Sequence, residues 1–294
     1  MTDRRIIDKI EFYVTNVCNL TCENCNRYNN YKFTGTQHWK DYKDDYAFWA
    51  TKVDIKQVTI LGGEPLLNPS IKEWATGISE LWPNCPVQIL SNGTRLNAVK
   101  GLYDILGDKI WLGVSLHNAD HIEGFEKQLY DFLEGPVYKK DLKEEEDLPA
   151  QFAYRYIDKN NKQVSMYCQN DFINANLIEY APSQFRFYNS DPEEAHSVCG
   201  FARHKNYHFI RGKMYKCGPV ALMPEFAQQF TVDLTDEDKN LLNSYIALSP
   251  ENWDEYSQEF FQNLDNSIPQ CKFCPTKFFS KKIAPFSKEF QINT

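Results

Sequence analysis

Apolar residues in the first half of the chain gather in short runs separated by longer, amphipathic stretches. "IEFYVTNV" (Ile10 to Val17), "QVTILGGEP" (Gln57 to Pro65), "VQILSNGTRL" (Val87 to Leu96) and "IWLGVSLH" (Ile110 to His117) are rich in β-branched and aromatic residues. They read as strands whose apolar runs are nearly continuous, as expected where both faces of a sheet are covered. "SIKEWATGISELW" (Ser70 to Trp82) places Ile71, Trp74, Ile78 and Leu81 at helical spacing behind a serine suited to cap the first turn. This strand–helix rhythm predicts an α/β fold, a parallel sheet or barrel with helices outside. "AQFAYRYI" (Ala150 to Ile157) and "QFRFYN" (Gln184 to Asn189) read as later strands, and the charged run "YKKDLKEEEDLP" (Tyr138 to Pro149) as a solvated loop or frayed helix end.

From about Asp191 the texture changes. "NYHFIRGKMYKC" (Asn206 to Cys217) reads as two short strands around a turn at Gly212. "SPENWDEYSQEFFQNL" has serine at the N-cap and proline at the first helical position, with Trp253, Tyr256, Phe260 and Leu264 along one face. The expected organisation is an α/β domain over residues 1–190 followed by a small α+β domain over 191–294.

Composition narrows the partners. A net charge of −8 and a pI near 5.4 argue against a dedicated polyanion binder, so nucleic acid is not an expected partner. No apolar run reaches membrane-spanning length, and "MTDRRIIDKIEFYV" has no signal-peptide pattern. Nine cysteines without a secretory signal fit a cytoplasmic protein whose thiols stay reduced. Cys85 and Cys168 stand alone and read as small buried hydrophobes. The other seven are clustered, a pattern of metal or cofactor binding.

"CNLTCENC" holds Cys18, Cys22 and Cys25 in a C-x3-C-x2-C loop after the first strand. Soft thiolates at short spacing select zinc, copper(I) or iron–sulfur. Three cysteines can hold three irons of a [4Fe–4S] cubane and leave the fourth open, as a catalytic rather than a structural site does. Cys199 and Cys217 flank the hairpin in a C-x12-G-x4-C pattern, and Cys271 and Cys274 form C-x2-C further on. Four thiols can close one site, either iron–sulfur or a structural zinc.

The cysteine loop, "LGGEP" (Leu61 to Pro65), "SNG" (Ser91 to Gly93) and "VSLH" (Val114 to His117) follow one another at the ends of successive strands. In this order they resemble the radical S-adenosylmethionine (SAM) superfamily, with a partial (β/α)6 TIM-like barrel. That resemblance implies a [4Fe–4S] cluster on Cys18, Cys22 and Cys25, whose open iron is chelated by SAM, and a 5′-deoxyadenosyl radical from reductive SAM cleavage. It implies SAM contacts from Gly62, Gly63, Glu64 and Pro65, with the Glu64 carboxylate on the ammonium, and from Ser91, Asn92 and Ser115, the last on the ribose. A carboxylate clamp is expected from Arg155 or its rival Arg186. The adenine contact, usually aromatic in the family, falls to Asn24 or to the ring of Tyr28. His117 stands where relatives often carry Asp; it is a candidate for proton transfer, with a structural role as the alternative.

The C-terminal cysteines are similar to the auxiliary-cluster domain of the same superfamily, called twitch in its short form and SPASM in its long form. They imply a second [4Fe–4S] cluster on Cys199, Cys217, Cys271 and Cys274, with zinc as the alternative. The pattern resembles short twitch enzymes such as the 2-deoxy-scyllo-inosamine dehydrogenases, which oxidise a secondary alcohol. The implied partners are a small-molecule substrate and an electron donor such as flavodoxin or ferredoxin. A peptide or protein maturase and a non-catalytic metal-binding scaffold are the alternatives, although a first strand near residue 10 leaves no expected room for an N-terminal recognition domain. A molybdopterin-type cyclase is disfavoured by the ending "FQINT".

Overall fold

A computed structural model describes residues 4–22, 24–117, 119–143, 152–168, 171–173, 176–277 and 280–282. Its centre is a nine-stranded sheet made of β1 (Ile10–Tyr13), β2 (Val58–Leu61), β3 (Val87–Ser91), β4 (Ile110–Leu116), β5 (Tyr138–Asp141), β6 (Phe152–Ile157), β7 (Gln163–Cys168), β8 (Tyr207–Ile210) and β9 (Lys213–Tyr215). The spatial order is β9-β8-β1-β2-β3-β4-β7-β6-β5. Strands β8, β1, β2, β3, β4 and β7 run parallel, with Phe12 opposite Ile60 and Ile60 opposite Ile89. The α/β fold with a parallel-rich sheet is the one expected of a partial TIM-like barrel.

Helices α1 (Trp39–Lys52), α2 (Ile71–Leu81) and α3 (Ile122–Phe132) cross between the early strands. Strand alternation sends Ile10 and Phe12 towards these helices. Phe12 meets Tyr46, Trp74, Trp82 and Phe209, with ring centroids 5.0 to 6.4 Å apart, forming the aromatic centre of the core. All four β1 positions are buried, so both faces of the strand are covered.

The later segments add pairings that the local pattern does not carry. "YKKD" (138–141) is strand β5, pairing antiparallel with β6, because Tyr138–Asp141 and Tyr154–Ile157 form a ladder no local pattern announces; residues 144–151 lie outside the described residues. "QFRF" (184–187) is a strand as expected, in a separate two-stranded sheet with Leu177–Ala181. The hairpin of β8 and β9 turns at Gly212 as expected, but β8 pairs in parallel with β1, so a segment assigned to the smaller domain completes the main sheet. Arg211 and Gly212 both have positive φ, 51° and 72°, as a tight hairpin turn requires.

Of the two serine starts, one caps through its side chain and one does not. Ser70 sits at the N-cap of α2 without a side-chain cap; Asn68 Oδ1 instead accepts from Ser70 N at 2.9 Å. Ser249 forms a capping box with Asn252 ahead of the helix Trp253–Asn263. Among the described residues no helix is long and apolar enough to cross a membrane.

Candidate active site

The ends of β1 and β2 are joined by backbone. Gly63 N donates to Thr15 O at 2.7 Å and Glu64 N to Val17 O at 2.8 Å, tying the GGE segment to the start of the cysteine loop. A side chain at Gly63 would overlap the carbonyl oxygen of Val17, and one at Gly62 would lie 2.9 Å from Thr15 N. Only glycine permits this approach. The loop then turns through Asn24, Tyr28 and Lys32, all with positive φ. Asn29 fixes it from inside: its Nδ2 donates to Asn16 O, and its Oδ1 lies 3.6 Å from Cys25 Sγ.

These contacts form a cavity of about 250 Å³ lined by Cys18, Cys22 and Cys25, with Gly62, Gly63, Ser91, Asn92, Ser115 and His117 on its other walls. It lies at the carboxyl ends of the parallel strands, where barrel enzymes hold their chemistry. A second cavity, of about 290 Å³, is lined by Cys199, Cys217, Cys271 and Cys274. Among the described residues no three His, Cys, Asp or Glu side chains converge tightly enough to hold one metal ion; the thiols ring their cavities. Burial pushes the Cys22 and Cys217 thiols up to about 12, and raises Cys18, Cys271 and Cys274 as well. Such thiols give up their protons to a metal. The donor sets fit iron–sulfur groups, three thiols in one cavity and four in the other. Cys85 and Cys168 are buried elsewhere in the core.

Several expected SAM contacts sit differently. Glu64 is fully buried and committed: Oε1 accepts from Leu66 N at 2.9 Å and Ser91 Oγ at 2.8 Å, and Oε2 accepts from Asn92 N at 2.7 Å. It caps the short helix Pro65–Leu67 and braces the β3 loop, and burial raises its carboxyl to about 7. Pro65 is buried in the same helix and does not line the cavity. The Asn92 side chain is also held, by Asn19 and Thr94. Asn24 supplies a left-handed turn, a conformation asparagine tolerates, and lies off the cavity wall. The Tyr28 ring packs against Phe33 and Phe226, with its hydroxyl 2.7 Å from Asn176 Oδ1, so it too is turned away. Neither arginine lines the cavity. Arg155 donates to Ser165 Oγ at 3.4 Å, and exposed Arg186 stacks on Tyr180. His117 does line it, and burial lowers its pKa to about 4, leaving a neutral imidazole near pH 7.

Sequence reasoning missed Glu11, Asn26, Arg27 and Asn29 on the wall of the first cavity. Glu11 had a signal, a lone carboxylate inside the apolar strand "IEFY". Arg27 pairs with it through Nη2, and His208 Nε2 lies 2.6 Å away on β8. Burial raises the Glu11 carboxyl, but Arg27 and His208 outweigh it and hold it at about 2.

Residues 12–138 match the sequence profile of the radical SAM superfamily, so this chain carries a radical SAM domain. A 94-residue segment is 23% identical to the GTP 3′,8-cyclase of Campylobacter curvus, spanning 31% of this chain and 29% of that relative. Among solved structures, BtrN in an open conformation superposes over 93% of this chain and 94% of its own, at 14% identity and a TM-score of 0.38. BtrN in complex with AdoMet and 2-DOIA covers 45% of this chain and 54% of its own, at 24% identity and a TM-score of 0.32. Streptococcus suis SuiB bound to S-adenosylmethionine covers 40% and 27%, at 23% identity and a TM-score of 0.32.

Proposed function

We propose that the protein is a two-cluster radical SAM oxidoreductase of a small polar substrate, working in the cytoplasm with an external electron donor of the flavodoxin or ferredoxin type. One observation carries this reading: the three-thiol cavity and the four-thiol cavity are separate, and the first opens beside the Gly62–Gly63 cradle. When bound, the three-cysteine cluster with SAM supplies a carbon-centred oxidant, and a closed four-cysteine cluster supplies an acceptor for one electron.

The remaining work belongs to the chain. Gly62 and Gly63 admit the cosubstrate's polar end to the backbone, and Ser115 offers a hydroxyl from the β4 wall. Oxidation of an alcohol removes one hydrogen atom, one proton and one electron. The His117 imidazole, in the same wall, is the group placed to take the proton, although burial makes it a weak base. Asn29 and the β2 end hold the cysteine loop fixed meanwhile. The test is anaerobic reconstitution with iron and sulfide, followed by a SAM-cleavage assay. Wild-type protein should carry close to eight irons and cleave SAM reductively, and Cys18/Cys22/Cys25→Ala should not. Cleavage surviving in that triple variant would remove the first site from the reaction; four irons and one zinc per chain would remove the oxidative role of the second.

A further inference from the structure

The wall between the two cysteine cavities is made of charge. Asn26 lines both cavities, and the next residue, Arg27, is buried with its side chain inside the wall. Its Nη2 pairs with Glu11, whose other oxygen accepts from Asn206. Its guanidinium lies 5.1 Å from the ring centre of Phe201, two residues beyond Cys199. A Cβ at Gly218, the residue after Cys217, would sit 2.5 Å from Arg27 Nη1 and 2.9 Å from His208 Nε2. The arginine of the first cysteine loop therefore packs against the backbone of the second cysteine site.

Arg27 Nη1 is buried and has no hydrogen-bond partner among the described residues. A buried donor left unpaired is rare and points to an acceptor. A guanidinium suits this place, being planar, permanently charged and weakly hydrated. Burial lowers the His208 pKa while Glu11, 2.6 Å away, opposes it, so the wall sets the Arg27 cation and the Glu11 carboxylate beside an imidazole. Lys216 adds a cation at the cavity of the second site, its Nζ donating to Leu264 O.

We infer that Arg27 is a positioning residue of the second cysteine site: its charge, balanced by Glu11, sets how readily the group held by Cys199, Cys217, Cys271 and Cys274 accepts an electron. This rests on the two-cluster reading above. Charge and hydrogen bonding near the sulfurs are among the factors that set an iron–sulfur potential. Added positive charge favours the reduced cluster, and loss of it favours the oxidised one.

The experiment is an EPR-monitored potentiometric titration of the reconstituted full chain in a Cys18/Cys22/Cys25→Ala background, where only the second site contributes. Arg27→Met should shift its midpoint to more negative potential, and Glu11→Gln to more positive potential. The double variant, which removes both charges, should return close to the starting value. If Arg27→Met does not fold alone, the step from Glu11→Gln to the double variant reads the same charge. Iron content of the otherwise wild-type chain separates the presence of the second cluster from the role of Arg27. Zinc in place of the second cluster overturns both. Two clusters with an unmoved midpoint, or with single variants shifting in the same direction, overturn the role of Arg27 alone. So does weaker SAM binding by Arg27→Met in the chain with intact cysteines, when the midpoint of the second site is unmoved.

Discussion

Glu64 shows how a motif residue can be legible and its task hidden. The letters "GGEP" place a carboxylate at a strand end, but they say nothing of Leu66 N, Ser91 Oγ and Asn92 N converging on it. Glu64→Ala is expected to leave these buried donors unsatisfied and to lower stability by about 3 kcal/mol, read by urea unfolding of the apoprotein. Its titration has a definite sign. The folded chain holds the Glu64 proton up to about pH 7, whereas the unfolded chain releases it near the ordinary value of 4.5. The stabilisation from that proton is full below about 4.5 and is lost as pH rises through about 7, roughly 3 kcal/mol across the window. Glu64→Gln, measured at the same pH steps, should lack this slope; parallel curves would show that the carboxyl does not titrate there.

At the scale of elements, the early strands and helices were legible because each carries its own periodicity. Ile71, Trp74 and Ile78 are buried on α2 as their spacing required, and β2 is buried along its whole length. Pairing between distant segments was not legible. The ladder of β5 with β6, and of β8 with β1, depends on registers set by the whole sheet, which local composition does not encode. The same limit hides the surroundings of Arg155: it lies on a late strand, as its local pattern predicts, and the antiparallel pairing of that strand sets it opposite Ser165. The junction of β2 with the cysteine loop gives a sharp test. Gly63→Ala puts a methyl into the Val17 carbonyl, so the two segments must part. We expect the purified, reconstituted variant to lose at least about tenfold in SAM affinity and to retain less iron, by equilibrium dialysis and iron analysis, while the far-UV circular dichroism stays that of the wild type.

For the molecule as a whole, the seven clustered cysteines could be counted in the sequence, but their division by a wall of Glu11, Arg27, Asn206 and His208 could not, because these four come from three distant segments. Separate cavities make separate losses. Under the proposed function, replacing Cys199, Cys217, Cys271 and Cys274 by alanine should spare reductive SAM cleavage, since the first cavity keeps its thiols, and should abolish formation of oxidised product. Loss of cleavage itself in that variant would show that the second site supports the first.

The pairing of β8 with β1 also bears on how the chain is made. Of the nine strands of the main sheet β1 comes first in the chain, yet one of its two neighbours, residues 207–210, is synthesised nearly two hundred residues later. Until then one edge of β1 offers unpaired backbone beside buried Ile10 and Phe12, the kind of edge that recruits another chain. Non-local pairing of this sort is slow to form. A chain ending at residue 190 keeps the whole radical SAM match, residues 12–138, but should elute from a sizing column as a self-associated species, whereas co-expression with residues 191–294 as a separate chain should return it to a one-to-one complex. The first cysteine loop begins a few residues beyond this unfinished edge, so metal arriving before β8 does would meet thiols on a sheet still open to intruders.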